Sequence, residues 1–266
     1  MLKNELSLQV SEITDMNSSE SFGILCVTDG NLTVTYDGNV YNLNTGKAII
    51  FSPDKFYYID NKSDAEYIFI SFFATGEILS DLNGLAIKID EPEMLLVKEI
   101  NMLINSFDNY ASKQQIFAML ELLLLLCSKK ETISVCEDKN AVLFSKAADI
   151  LKRNINSNVS VSDLADKLNI SLSNLKRLFA QYTNIGVHEY HTFLKIARAK
   201  ELLRKGETVT ATAESTGFAN QAYFSAAFKR ITGVTPKEYT PNKTTPVVRK
   251  TSHKAKSTRE MPSYLL

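Results

Sequence analysis

Two short stretches place polar side chains at helical spacing, and neither has a catalytic neighbour. In Ser171–Tyr182, Leu175, Leu178, Phe179 and Tyr182 fall at i, i+3, i+4 and i+7, which makes one apolar helical face. Ser173, Asn174, Lys176, Arg177 and Gln181 then lie on the outward side. In the stretch from Asn220 to Arg230, Phe224, Phe228 and the following Ile231 mark the core face, with Tyr223 and Ala227 beside them. Gln221, Ala222, Ser225, Ala226 and Lys229 point outward, and Asn220 can cap the helix. Guanidinium, ammonium, amide and hydroxyl groups on a helix surface can hydrogen-bond base edges and neutralise phosphates. The ten candidates for nucleic-acid contact are therefore Ser173, Asn174, Lys176, Arg177, Gln181, Asn220, Gln221, Ala222, Ser225 and Lys229.

Other chemistry has little support. The histidines are His188, His191 and His253, so the first half of the chain has no imidazole. A first-row transition-metal site there is not expected. Cys26, Cys127 and Cys136 have no paired spacing and read as reduced thiols. No nucleophile–base constellation stands out, so no catalytic residue, metal or cofactor is expected. Met1-Leu-Lys-Asn-Glu5 leads into polar alternation rather than an apolar leader, and the longest apolar run, Leu122–Cys127, is too short to span a bilayer. The expected location is cytoplasmic.

The elements that must carry the two stretches share one plan. Around the first, Ala165, Asn169 and Leu175 have the spacing of a helix-turn-helix, with Ser160 or Ser162 and then Ser171 as N-caps. Asn169 suits the left-handed conformation of a tight interhelical turn. A helix over about 187–205 follows and ends at Gly206. Val209, Ala213 and Gly217 then repeat the pattern, with Gly217 in the place of Asn169. Gly233 closes the second outward-facing helix, and Thr235-Pro236 starts a last short one. An ordinary helical hairpin remains an alternative for either copy alone.

Net charge divides with this organisation. The chain is neutral overall, but residues 1–140 hold 10 Lys+Arg against 21 Asp+Glu, and residues 141–266 hold 20 against 9. A basic module is the footprint of a polyanion binder. The acidic half reads as short strands. Leu6, Leu8 and Val10 alternate, as do Leu32, Val34 and Tyr36, and Asp37-Gly38 predicts a type I′ hairpin before Val40–Leu43. Ile24–Thr28, Ala48–Phe51, Tyr57–Ile59 and Tyr67–Phe73 are further strands, which together imply a sandwich or small barrel. Phe51, Phe56, Tyr57, Tyr58, Phe69, Phe72 and Phe73 either fill its core or line a pocket. Helices follow over about 92–107 and 113–128. The second is apolar nearly all round, so it can pack on the strands and also on its neighbour or on a second copy of the chain.

Residues 21–73 resemble a cupin-type jelly roll, although enzymatic cupins often hold a metal through histidines that are absent here. Residues 161–239 resemble the DNA-binding domain of AraC-type transcriptional regulators. The matching residues are Leu164-Ala165, Ser171, Leu175–Phe179, Tyr190, Ala199–Leu203, Ala213, Gly217-Phe218, Tyr223-Phe224, Phe228–Arg230, Gly233, Thr235-Pro236 and Tyr239. The resemblance implies an α+β multi-domain protein, with a cupin-like β-barrel and two helices ahead of an all-α tandem helix-turn-helix domain. The expected division is 1–90 regulatory, 91–130 helical packing or dimerisation, 131–140 linker, 141–240 DNA-binding and 241–266 a basic, disordered tail. It also implies a sequence-specific regulator of double-stranded DNA, taken as an activator, with a small-molecule effector and a homodimer as further partners and no membrane.

By position, the resemblance puts Ser173, Lys176 and Arg177 at base edges, with Gln221, Ala222 and Ser225 as their counterparts. Lys195, where the family usually has Arg, is expected to brace the fold. Ala222 and Ala226 stand where polar or basic residues are usual, Thr212 and Thr216 where Ile and Val are usual, and Thr240 where Arg is common. The second unit is thus expected to read DNA less than the first. The rival readings are a cupin-type small-molecule binder and an interaction protein with weakened operator recognition.

Overall fold

The computed structural model describes residues 8–14, 21–76, 78–82, 84–105 and 110–240. Leu6 and the expected tail at 241–266 lie outside the described residues. The chain forms two compact units, Met1–Ser145 with Gln181–Thr183, and Lys146–Ala180 with Asn184–Leu266.

In the first unit the strands are β1 (Leu8–Thr14), β2 (Phe22–Asp29), β3 (Asn31–Tyr36), β4 (Asn39–Asn44), β5 (Lys47–Phe51), β6 (Tyr57–Asp60) and β7 (Glu66–Gly76). The short helix α1 (Ile78–Asp81), β8 (Ala86–Lys88), α2 (Glu91–Asn105) and α3 (Tyr110–Cys127) complete it. The Asp-Gly turn forms as expected. Asp37 (φ 45°) and Gly38 (φ 88°) both take positive φ, and Tyr36 pairs with Asn39.

All strand pairs are antiparallel, in a sheet ordered β1-β7-β2-β5-β8 and another ordered β4-β3-β6. Among the described residues no ladder joins them. The barrel expected from sequence is therefore an open pair of sheets. β2 and β5 of the larger sheet are buried on both faces. Leu25, Val27, Ile49 and Phe51 meet Leu32, Val34 and Leu43 of the smaller sheet. Ile24, Cys26, Ala48, Ile50 and Phe72 meet Val97 and Ile100 of α2 and Ile116, Leu120 and Leu123 of α3. Successive residues of β2 thus enter different cores, which is why its sequence is apolar throughout.

The aromatic residues divide in the same way. Phe51 packs on Tyr57 and Phe69 with centroids 4.7 and 5.6 Å apart, while Phe72 stacks on Phe22 at 5.9 Å in the other core. The cavity beside Phe51, Tyr57 and Phe69 holds about 10 Å3, room for one water at most. At these positions the rings fill the core.

At the start of α2, Asp90 N donates to Glu93 Oε2 at 2.9 Å. Burial alone would raise the Glu93 carboxyl, but Lys130 at 3.0 Å and the backbone N–H groups of Asp90 and Glu93 hold it below its usual value. The polar segment after α3 is not slack. Ile133 N donates to Ala86 O at 2.6 Å and Cys136 N to Val40 O at 2.7 Å. No helix among the described residues is long and apolar enough to cross a membrane.

The remaining helices are α4 (Lys139–Arg153), α5 (Val161–Lys167), α6 (Leu172–Thr183), α7 (Val187–Arg204), α8 (Val209–Ser215), α9 (Gln221–Thr232) and α10 (Pro236–Tyr239). α7 is buried nearly all round, from Val187 and Tyr190 to Ala199 and Leu203, as suits a helix enclosed by its neighbours.

Candidate nucleic-acid interface

The two helix-turn-helix units match in their caps. α5 and α8 each have seven residues, and Ser160 and Thr208 accept from the third helical N–H. α6 and α9 each have twelve, with Ser171 accepting from Asn174 N and Asn220 from Tyr223 N. Each ends on a left-handed residue, Asn184 at φ 56° and Gly233 at φ 78°. Ser171 to Asn220 and Asn184 to Gly233 are both offsets of 49 residues, so α6 and α9 correspond position by position. The counterparts of Ser173, Lys176 and Arg177 are Ala222, Ser225 and Ala226, with Gln221 in the place of Leu172 rather than of a reader as expected.

The interhelical turns also match in hydrogen bonding. Ile170 N donates to Ala165 O and Phe218 N to Ala213 O, each with a left-handed residue before it, Asn169 at φ 54° and Gly217 at φ 65°. The second turn is one residue longer, because Asn220 follows Gly217 by three positions and Ser171 follows Asn169 by two. Gly217 has a second constraint. A Cβ there would sit 2.4 Å from Asn156 O and 2.5 Å from Asn156 C.

α7 holds both units. Phe179 of α6 meets Tyr190 edge to face at 5.4 Å, and Ile196, Ala199 and Leu203 enclose Ala213, Phe224 and Phe228. Lys195 lies inside this frame at 5% exposure. Its Nζ donates to Asn158 Oδ1 at 3.1 Å and Gly217 O at 2.9 Å and lies 5.4 Å from the Phe218 ring centroid. It braces the fold, as the sequence suggested. One turn earlier, His191 Nε2 lies 3.2 Å from Asn154 O. Burial, and then the Lys195 charge, push the His191 pKa down to about 4, against the pull of the Asn154 carbonyl.

The candidate readers are unequal. On α6, Ser173, Lys176 and Arg177 are exposed and Asn174 and Gln181 half-buried. Arg177 Nη2 donates to Asn174 Oδ1 at 2.9 Å, which orients the guanidinium and leaves its other N–H donors for a base or phosphate. On α9, Asn220, Gln221, Ala222 and Lys229 are exposed and Ser225 half-buried. Asn220 Oδ1 is committed to the cap, 2.8 Å from Tyr223 N. Thr210 Oγ1 donates to Gln221 Oε1 at 3.0 Å, which engages the acceptor end of that amide. Arg230 is paired with Glu189 at 2.9 Å.

One residue differs from its expected place. Tyr223, read as flanking the core, is 58% exposed, with its ring 5.8 Å from Phe218. Position 223 corresponds to Asn174, on the outward side of α6, and the register between the two caps could have shown it. The substituted threonines also diverge. Thr216 Oγ1 donates to Thr212 O at 2.7 Å, whereas the buried Thr212 Oγ1 has no hydrogen-bond partner.

The helix-turn-helix domain family matches residues 164–242. The Msm operon regulatory protein of Streptococcus mutans is 23% identical over 237 residues, covering 83% of this chain and 84% of that one. The HTH-type transcriptional activator RhaR of Mannheimia succiniciproducens is 29% identical over 124 residues, covering 45% of this chain and 44% of its own. This chain thus spans most of the first relative and less than half of the second. A solved AraC-type transcriptional regulator from Chromobacterium violaceum is 26% identical over 37% of this chain and 88% of its own, with a TM-score of 0.36. With the paired units above, the family match makes residues 164–242 a helix-turn-helix domain, and the sequence relatives that this chain resembles are named as transcriptional regulators.

Proposed function

We propose that this regulator binds a specific double-stranded operator by laying α6 and α9 in successive major grooves, about 34 Å apart along one face of the duplex. The observation that carries the reading is the pair of twelve-residue helices with matched caps on a shared α7. Arg177 is the principal reader, able to pair bidentately with guanine O6 and N7. Ser173, Asn174, Lys176 and Gln181 surround it, and Asn220, Gln221, Ala222, Ser225 and Lys229 form the second contact. Relatives named as activators support activation as the direction of regulation.

The division proposed from sequence stands beside this. Residues 1–90 sense or hold, 91–130 pack or dimerise, 131–140 link, 141–240 bind DNA and 241–266 add non-specific phosphate affinity. An open groove of about 480 Å3 bordered by Asn31, Thr33, Asn42, Asn44, Lys47 and Asp60 suits a polar effector. Exposed Leu95, Met102 and Leu122 offer apolar surface to a second copy of the chain. The protein would act in the cytoplasm, with no enzymatic step. Selection of genomic fragments bound by the full chain tests the reading. An enriched motif with two half-sites about one turn apart is expected. A bound pool with no motif would favour an interaction protein with weakened operator recognition.

A further inference from the structure

We infer that α9 reads thymine, through the methyl group on its C5, at the second half-site. The inference rests on the operator-binding reading above and specifies what the weaker helix recognises.

The matched caps align α9 with α6 one residue at a time. Ala222 stands where Ser173 does, Tyr223 where Asn174 does and Ala226 where Arg177 does. All three α9 residues are exposed. Ala222, Ala226 and Lys229 fall at i, i+4 and i+7 on the outward stripe, with Tyr223 beside it. Ser173, Asn174 and Arg177 of one helix are thus replaced by two alanines and an aromatic ring in the other, while length and caps are kept and Ser225 stands where Lys176 does. Tyr223 is held by Phe218 at 5.8 Å, and Phe218 in turn lies under the Lys195 ammonium at 5.4 Å. The patch is a supported surface.

Among the four standard bases, only thymine puts an apolar group, its C5-methyl, on the major-groove edge, beside its O4 acceptor. Gln221 complements that pattern. Thr210 takes one of the two lone pairs of its Oε1, which favours presenting the N–H donor end of the amide to a base. A donor next to an apolar surface matches O4 next to a methyl. Lys229, one helical turn beyond Ala226, supplies charge for the neighbouring phosphate. Burying one methyl is worth about fourfold in affinity.

The experiment uses the full chain and the operator recovered by fragment selection. Each thymine is replaced in turn by deoxyuridine, which removes only the methyl, and Kd is measured by fluorescence anisotropy. One or two replacements should each weaken binding about fourfold. They should lie about one helical turn from the guanine whose contact is lost in Arg177→Ala. In Tyr223→Gln and in Ala226→Ser the same replacements should cost less than about twofold, because a polar group then faces the methyl. Thermal melts of both variants show that they are folded. Specific binding that is indifferent to every deoxyuridine in that half-site overturns the inference and leaves the operator reading intact. Penalties that persist unchanged in both variants also overturn it. Failure to recover any specific operator overturns the reading itself.

Discussion

Arg177 and Gln221 both sit on outward helix surfaces, yet their immediate partners prepare them differently. Asn174 accepts from Arg177 and leaves further guanidinium donors for a base, whereas Thr210 already uses one lone pair of the acceptor that Gln221 would turn to adenine. Arg177→Ala should therefore weaken operator binding by about 1–3 kcal/mol and relax specificity at one base pair. Gln221→Ala should cost less. Competition titrations on single-base operator variants check this, and the reverse ranking would sink it. Thr212 makes a separate case. Its buried hydroxyl has no partner, while Thr216 on the same helix side returns a bond to the Thr212 carbonyl. Thr212→Val should raise stability by about 1 kcal/mol, seen as a higher Tm with operator affinity unchanged. A lower Tm would show that the hydroxyl has a role. Residue types alone told that a buried threonine needs a partner. They could not tell which of the two found one, since that depends on χ1 within an already formed helix.

At the scale of elements, caps and turns were readable because their chemistry is local. Ser171, Asn220, Asn169, Gly217, Gly233 and Thr235-Pro236 each do in the structure what their residue types dictate. Strand partnership was not readable in the same way. β4 and β5 adjoin in sequence at Asn44-Thr-Gly46 but belong to different sheets, because pairing is set by burial on both faces of β5. The inward side of α7 was only partly legible, since Lys195 was expected to brace the fold but His191 looks like a surface residue until the α4–α5 connection is seen lying over it. That arrangement makes a pH prediction. His191 is held neutral in the fold by burial and by Lys195, with a pKa of about 4 against 6.5 for an ordinary histidine, and His188 pushes in the same direction. The unfolded chain takes up the proton first. Stability from this site is complete above pH 6.5 and falls as the pH drops toward 4, with a slope of up to about 1.4 kcal/mol per pH unit. Denaturant titrations over that range should show a shallower decline for His191→Gln than for the parent. Parallel curves would mean that carboxylates elsewhere account for the whole effect.

At the scale of the whole molecule, net charge is zero only because an acidic and a basic half cancel. Phosphate contact releases counterions and steepens the salt dependence of binding. The tethered acidic half opposes it through repulsion that is felt across about 10 Å at 0.1 M salt and about 3 Å at 1 M. A fragment beginning at Asp138 keeps the carboxylate that accepts from Asn140 and Ala141 at the start of α4. It also removes most of the acidic excess. This fragment should bind non-operator duplex more tightly than the full chain at 50 mM salt, with the two converging as salt rises. The comparison is made by anisotropy on one random-sequence duplex across a salt series, with circular dichroism confirming that the fragment is helical. Equal affinity at the lowest salt would mean that the acidic half does not reach the DNA field. The charge division would then bear on how the chain meets other partners rather than on how tightly it holds the duplex. Convergence at high salt is the stricter requirement. A gap that survived screening would have to come from lost contacts or altered folding, and the electrostatic account would fail even with the fragment binding more tightly.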